Sequence, residues 1–227
     1  MTVLGIETAT AVCAAAVIDQ GRVLAEASLE EKNVHAERLL TQIDRVLHDA
    51  GTPLRSLNGI AVSIGPGSFT GLRIGLSVAK GLAYAASVPL IAVPTLEALA
   101  RHAAAVAAPQ GEMWVLAAID ARRDEVYCQL FAHGEGGCTP LRPVRDMGVA
   151  EVRAELAGHD VLVAGDGAMK VVGDPGPEGL LFAGTEASRC SAAAVARLGS
   201  ELLASGRRDD PASLEPQYIK EFFLRTR

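Results

Sequence analysis

A chain of 227 residues, 49% hydrophobic and 21% charged, is long enough for one large domain or two small ones and too apolar for disorder. Its formal net charge of −6 excludes a stand-alone protein that clamps nucleic-acid backbones, because phosphate neutralisation needs clustered Lys and Arg. Cys13, Cys128, Cys138 and Cys190 form no C-x-x-C pair and no zinc spacing, so they read as reduced core thiols of a cytoplasmic protein. The start, MTVLGIETAT, carries no basic stretch before its apolar run and reads as no signal peptide. No apolar run approaches the roughly 20 residues of a membrane span, so no membrane role is expected.

Residues 2–7 and 12–18 are apolar runs, and Asp19-Gln20-Gly21 turns the second into 22–29. That predicts three strands in an antiparallel meander. From Ala36 the apolar positions Leu39, Leu40, Ile43, Val46, Leu47 and Ala50 follow a 3.6-residue rhythm, a helix that Gly51 and Pro53 end. A short buried strand at 59–64, a glycine-rich loop at 65–71 and a helix from Leu72 to Ala86 follow. A strand at 90–93 and a helix opened by Pro94 and Thr95 complete a first half, residues 1–108.

Residues 109–227 repeat that order. Strands are predicted at 113–119 and 125–131, a loop at 134–140, a weak third strand at 141–144 and a helix at 149–156. A strand at 161–164, a turn at Gly165-Asp166-Gly167, a strand at 180–182 and a helix at 191–204 complete the second half. The halves share an order of elements and little sequence. A carboxylate ends the first strand of each, Glu7 and Asp120, which is either chance or the mark of a duplicated plan. The stretch from Asp209 reads as docking segments that pack back on the first domain, with Arg225 and Arg227 as a solvated tail.

The loop Gly65-Pro66-Gly67-Ser68-Phe69-Thr70-Gly71 joins a buried strand to a helix start, where free N–H groups favour anions. It has neither the Gly-Lys-Ser/Thr of a Walker loop nor G-x-G-x-x-G spacing, so it is either a phosphate cradle or a tight turn. In the next helix Gly71, Gly75, Ala79, Ala83 and Ala86 form a small-residue stripe beside Leu72 and Leu76, suited to close approach of another helix. The expected cover is another subunit, with Leu39, Ile43 and Val46 extending the same surface. The five His form no i, i+4 pair, and no G-x-S-x-G elbow or nucleophile–base pair can be named. His35 reads as a cap or an exposed residue. Arg73 and the positive end of the helix at Gly71 would attract phosphate, or Arg73 would pair with an acid on a partner.

GIETAT at 5–10, NVHAERLL at 33–40, GIAVSIGPGSFTGLRIGLSVAKGLA at 59–83 and VPTLEALA at 93–100 resemble the TsaB (YeaZ) family. AIDARRDEVY at 118–127, AGDG at 164–167 and LEPQYIK at 214–220 extend the resemblance nearly to the C-terminus. It implies an α/β fold of two ribonuclease-H-like domains of the actin, hexokinase and Hsp70-like (ASKHA) superfamily, each a mixed five-stranded sheet flanked by helices. Nucleotide in that superfamily lies near the turns after the first strands. Here those are Glu7-Thr8-Ala9-Thr10 and Asp120-Ala121-Arg122, so Thr8, Gly67, Ser68 and Arg73 are the nucleotide or phosphate candidates. The turn lacks the glycine that close backbone approach needs, so no cofactor of its own is expected, and ATP or ADP would sit at an assembled interface.

Catalytic paralogues of the TsaD type carry a His-x-x-x-His pair that holds a metal. Thr95 and Leu99 stand at those positions, so the resemblance implies no metal and no transferase activity of its own. It implies instead a non-catalytic subunit of the machinery that forms threonylcarbamoyladenosine beside the anticodon of tRNAs reading codons that start with A. The partners implied are TsaD, the ATPase TsaE and a second copy, with tRNA met only through the complex. Both pairings would use residues 35–50 and 71–86, with Leu39, Ile43, Val46, Gly71, Leu72, Gly75, Ala79 and Ala83 at the contact. A glycopeptidase-like metal hydrolase and a small-molecule kinase are the alternatives. The first has no visible ligands, and the second would have to use Glu7 or Asp120.

Overall fold

Strand β1 (Thr2–Glu7) lies at the centre of a five-stranded sheet of order β3-β2-β1-β4-β5. A computed structural model describes residues 1–31, 34–109 and 111–219 of the chain. Strands β2 (Val12–Asp19) and β3 (Arg22–Glu30) run antiparallel as a meander, turned by Gln20 and Gly21. Strands β4 (Gly59–Ser63) and β5 (Leu90–Val93) lie parallel to β1. Central strands β1, β2 and β4 are buried on both faces, which is why they read as unbroken apolar runs.

The second sheet has six strands, against the five expected. Its order is β11 (Leu180–Phe182), β10 (Val161–Ala164), β6 (Met113–Asp120), β7 (Glu125–Gly134) and β8 (Gly137–Pro140), with β9 (Arg145–Gly148) also on β7. The counterpart of β3 is split: β8 pairs with 131–134 of β7 and β9 with 125–128. The strand expected at 141–144 is therefore the gap between two strands, and the loop expected at 134–140 is a hairpin. Pro140 ends β8 and Pro143 lies within the gap, and neither can donate to a ladder.

Helices α1 (His35–Asp49) and α2 (Phe69–Ala86) share one core with one face of the first sheet. The other face is covered by α6 (Ala192–Ala204), from the second half of the chain. Close approach needs glycine on both sides: a Cβ at Gly5 would lie 2.8 Å from Ala196 Cβ, and one at Gly199 would collide with Ala61. The second sheet is covered by α3 (Thr95–Ala107), from the first half. Its far face carries α4 (Val149–Leu156) and the short α5 (Ala168–Val172), a helix not read from the sequence. Packing thus crosses the division at 108/109 in both directions. Arg101 on α3 joins the two covering helices, bonding Glu97 at 2.9 Å and Glu201 of α6 at 2.6 Å.

Beyond α6 the chain returns to the first sheet. Asp209 bridges antiparallel to Leu90, its carboxylate accepts the Ala92 N–H at 2.8 Å, and the Gln217 N–H donates to the Ile64 carbonyl at 2.7 Å. Arg225 and Arg227 lie outside the described residues. Among the described residues no helix is long and apolar enough to cross a membrane.

Candidate functional site

The turns that end β1 and β6, the 65–71 loop and the start of α3 converge between the two sheets. Glu7 closes β1 and is 1% exposed. Its carboxylate accepts the Ala9 N–H at 2.5 Å, with Ser63 and Thr8 as further partners. Burial pushes its pKa up to about 7 against the pull of these hydrogen bonds. Cys190, just before α6, is buried, and its thiol is pushed well up by burial, with Glu7 and Asp166 adding to the shift.

At the matching turn of the second half, Asp120 bonds Lys170 Nζ at 2.5 Å, and Lys170 also donates to the Arg123 carbonyl at 2.6 Å. The Asp120 N–H donates to Asp166 at 2.9 Å. Burial raises Asp166 above the usual carboxylate range, against the hydrogen bond from Asp120. Arg122 and Arg123 both take positive φ, 71° and 50°, an uncommon pair of left-handed non-glycine residues. Asp166 and Lys170 were missed as site residues. The only sequence signal was the glycine pair around Asp166, since α5, which carries Lys170, is five residues long.

The small-residue stripe of α2 turns inward. Gly71, Leu72, Gly75, Ala79 and Ala83 are buried in the chain, as are Leu39, Ile43 and Val46 of α1. All eight were expected at a contact with another subunit; each is core instead. The close neighbour that demands small residues is Thr8: a Cβ at Gly75 would meet its side chain, and one at Gly71 its carbonyl. The outward faces carry different residues. Leu40 is 56% exposed and Tyr84 87% exposed, Gly81 has open space beyond its Cα, and Ile74, Val78 and Leu82 are half-buried. His35 is buried, neither cap nor exposed, with Nε2 3.2 Å from the Val12 carbonyl oxygen.

The four phosphate candidates lie close together; Ser68 and Arg73 are bonded within the chain, whereas the buried Thr8 hydroxyl has no hydrogen-bond partner among the described residues. Thr8 is fully buried. Gly67 lies against Ala9, the Ser68 N–H donates to the Ala9 carbonyl at 2.6 Å, and Ser68 Oγ accepts the Gly71 N–H at 3.2 Å. Ser68 thus caps α2. Arg73 lies 3.8 Å over the Phe69 ring and donates through Nε to the Tyr218 hydroxyl at 2.9 Å. The ring of Tyr218 in turn packs 5.0 Å from that of Phe69.

Thr95 and Leu99 are each 1% exposed. Thr95 Oγ1 accepts the Gly65 N–H, and Leu99 reaches toward Gly165, where a Cβ would lie 3.0 Å from its Cδ2. Both side chains fill the space between the glycine loops of the two halves. Both glycines sit at positive φ, 118° and 112°, which a Cβ disfavours. Among the described residues, no three His, Cys, Asp or Glu gather as metal ligands.

The profile of TsaD, tRNA N6-adenosine threonylcarbamoyltransferase, matches residues 22–139. The tRNA threonylcarbamoyladenosine biosynthesis protein TsaB of Escherichia coli (strain K12) is 35% identical over 228 aligned positions, 97% of this chain and 95% of that one. The tRNA N6-adenosine threonylcarbamoyltransferase of Syntrophus aciditrophicus (strain SB) is 38% identical over 122 positions, 47% of this chain and 35% of that one. The solved structure of YeaZ from Pseudomonas aeruginosa matches with a TM-score of 0.81 at 31% identity, covering 96% of this chain and 99% of that one.

Proposed function

The chain belongs to the TsaB (YeaZ) family, and on that premise we propose that it is the non-catalytic subunit of a cytoplasmic tRNA threonylcarbamoyladenosine synthase. It pairs with TsaD, which carries the transfer chemistry, and supports recruitment of TsaE. ATP or ADP, where the assembly holds it, lies between subunits rather than on this chain alone. The observation that carries this reading is the buried pair Thr95 and Leu99. The positions at which a catalytic paralogue offers two imidazoles hold a hydroxyl bonded to backbone and an apolar side chain packed against a glycine.

The partner surface follows from the outward faces of α1 and α2. Val78 and Tyr84 flank Gly81 at three-residue steps on α2, where open space leaves room for a close helix, and Leu40 is exposed on α1. The test is sedimentation of this chain mixed with its cognate TsaD, in the wild type and in Gly81→Trp. The expected result is a one-to-one complex that Gly81→Trp loses while its circular dichroism and melting stay unchanged. A complex retained by Gly81→Trp puts the contact elsewhere. No complex in the wild type at tens of micromolar contradicts the pairing.

A further inference from the structure

Glu7 is a buried carboxyl with no ion pair among the described residues. Its hydrogen-bond partners are polar but uncharged: the Thr8 and Ala9 N–H groups of its own turn, and the Ser63 hydroxyl at the end of β4. Cys190, before α6, also interacts with Glu7 and with Asp166. These groups offer Glu7 donors and neighbouring acids, and no counter-cation. A group held this way is poised between two protonation states near neutrality, since burial and hydrogen bonding oppose each other.

What Glu7 holds is not confined to its own turn. The Ala9 N–H donates to Glu7 Oε1 at 2.5 Å. The Ala9 carbonyl accepts the Ser68 N–H at 2.6 Å. Ser68 Oγ accepts the Gly71 N–H at 3.2 Å, capping α2. Gly67 permits this approach, because a Cβ there would lie 2.8 Å from Ala9 Cβ. Thr8, in the same turn, fits beneath Gly71 and Gly75 of the helix. The turn that Glu7 anchors therefore touches α2 at its cap and along its first two turns.

We propose that Glu7 is a positioning residue whose protonation loosens the seat of α2 through the chain Glu7–Ala9–Ser68–Gly71. Ionised, the carboxylate makes a charge-assisted bond to the Ala9 N–H and accepts from Ser63 as well. Protonated, it keeps a weaker bond to Ala9 and turns one oxygen into a donor, which the Ser63 hydroxyl can accept. The Ala9 carbonyl then loses part of what fixes it against Ser68. Helix α2 carries half of the outward face assigned to a partner, so the seat of that face responds to pH. That consequence rests on the proposed pairing; the relay does not.

The test follows the carboxyl carbon of Glu7 and the amides of Ala9, Ser68 and Gly71 by NMR across a pH titration of the full chain. Wild type, Glu7→Gln and Ser68→Ala are compared. The expected result is one shared midpoint for all four signals in the wild type, and flat amides in Glu7→Gln. In Ser68→Ala the signals of Glu7, Ala9 and residue 68 still titrate and that of Gly71 does not. A wild-type Glu7 that titrates while Ser68 and Gly71 stay flat overturns the proposal, as do amides that keep their midpoint in Glu7→Gln. Should Glu7→Gln not fold, the wild type and Ser68→Ala decide alone. In the second arm, affinity for TsaD weakens from pH 8 to pH 6 in the wild type and not in Glu7→Gln. Absence of binding at every pH contradicts the pairing, and the amide titration still decides the relay.

Discussion

The Gly65 N–H donates to Thr95 Oγ1 at 2.9 Å, and the Thr95 N–H donates back to the Gly65 carbonyl at 3.0 Å. This reciprocal pair ties the glycine loop before α2 to the first turn of α3 and uses the one polar group of the Thr95 side chain. Thr95→Val keeps the shape and leaves the Gly65 N–H without a partner in a buried place. Loss of a buried partner costs about 1–3 kcal/mol, so the urea midpoint falls while the slope stays unchanged. An unchanged midpoint would mean that water replaces the hydroxyl.

Gly75 and Gly81 lie on one helix and predict opposite outcomes. A Cβ at Gly75 meets the Thr8 side chain, with Thr8 Cβ at 3.2 Å, whereas one at Gly81 meets nothing within 4 Å. Gly75→Ala destabilises the isolated chain by roughly 1–3 kcal/mol through overpacking. Gly81→Ala stabilises it by up to about 1 kcal/mol through helix propensity. Chemical denaturation of both variants checks the pair. Equal effects would contradict the inward orientation of the stripe.

Glu7 sets a pH dependence of stability. Its folded pKa, about 7, lies above the ordinary 4.5, so the folded chain holds the proton more tightly than the unfolded one. The stabilisation is complete below pH 4.5 and is lost as pH rises through 7. The Glu7 contribution therefore falls by roughly 3 kcal/mol from acid to pH 8. Asp166, also raised, acts in the same direction. Glu7→Gln removes the larger part of that slope and is more stable than the wild type at pH 8, as denaturation at pH 5.5 and 8 would show.

Arg73 and Tyr218 fasten the returning C-terminal segment to α2. Tyr218→Phe keeps the ring contact and loses one exposed hydrogen bond, about 0.5–1 kcal/mol. Arg73→Ala removes both that bond and the stacked cation, each worth roughly 0.5–1 kcal/mol at an exposed site. Limited proteolysis after residue 209 speeds up in both, more in Arg73→Ala. Equal, raised rates for the two variants would show that the stacked cation adds nothing to the hydrogen bond, and rates equal to the wild type that neither contact holds the segment.

Strands β1 to β5 and helices α1 to α3 were legible because apolar runs and a 3.6-residue rhythm are local signals. The direction of the α2 stripe was not. Glycines at 71 and 75 announce a close neighbour, and only the fold names it as Thr8, more than 60 positions away in the chain. The exchange of α3 and α6 between sheets was hidden for the same reason, since Gly5 meets Ala196 and Gly199 meets Ala61. The split of the third strand into β8 and β9 was masked by glycines at 134, 136 and 137, which read equally as loop or hairpin. At the site, the residue types of Thr95 and Leu99 were plain, but their packing against Gly65 and Gly165 was not. The engagement of Thr8, Ser68 and Arg73 with Gly75, Ala9 and Tyr218 was not, because each contact is long-range.

The most direct measurement is transfer of labelled threonylcarbamoyl from an activated donor to tRNA, reconstituted with the cognate TsaD and TsaE, with and without this chain, and with this chain replacing TsaD. The account predicts transfer only when this chain and TsaD are both present. Transfer with this chain in place of TsaD, or transfer that this chain leaves unchanged, would contradict it.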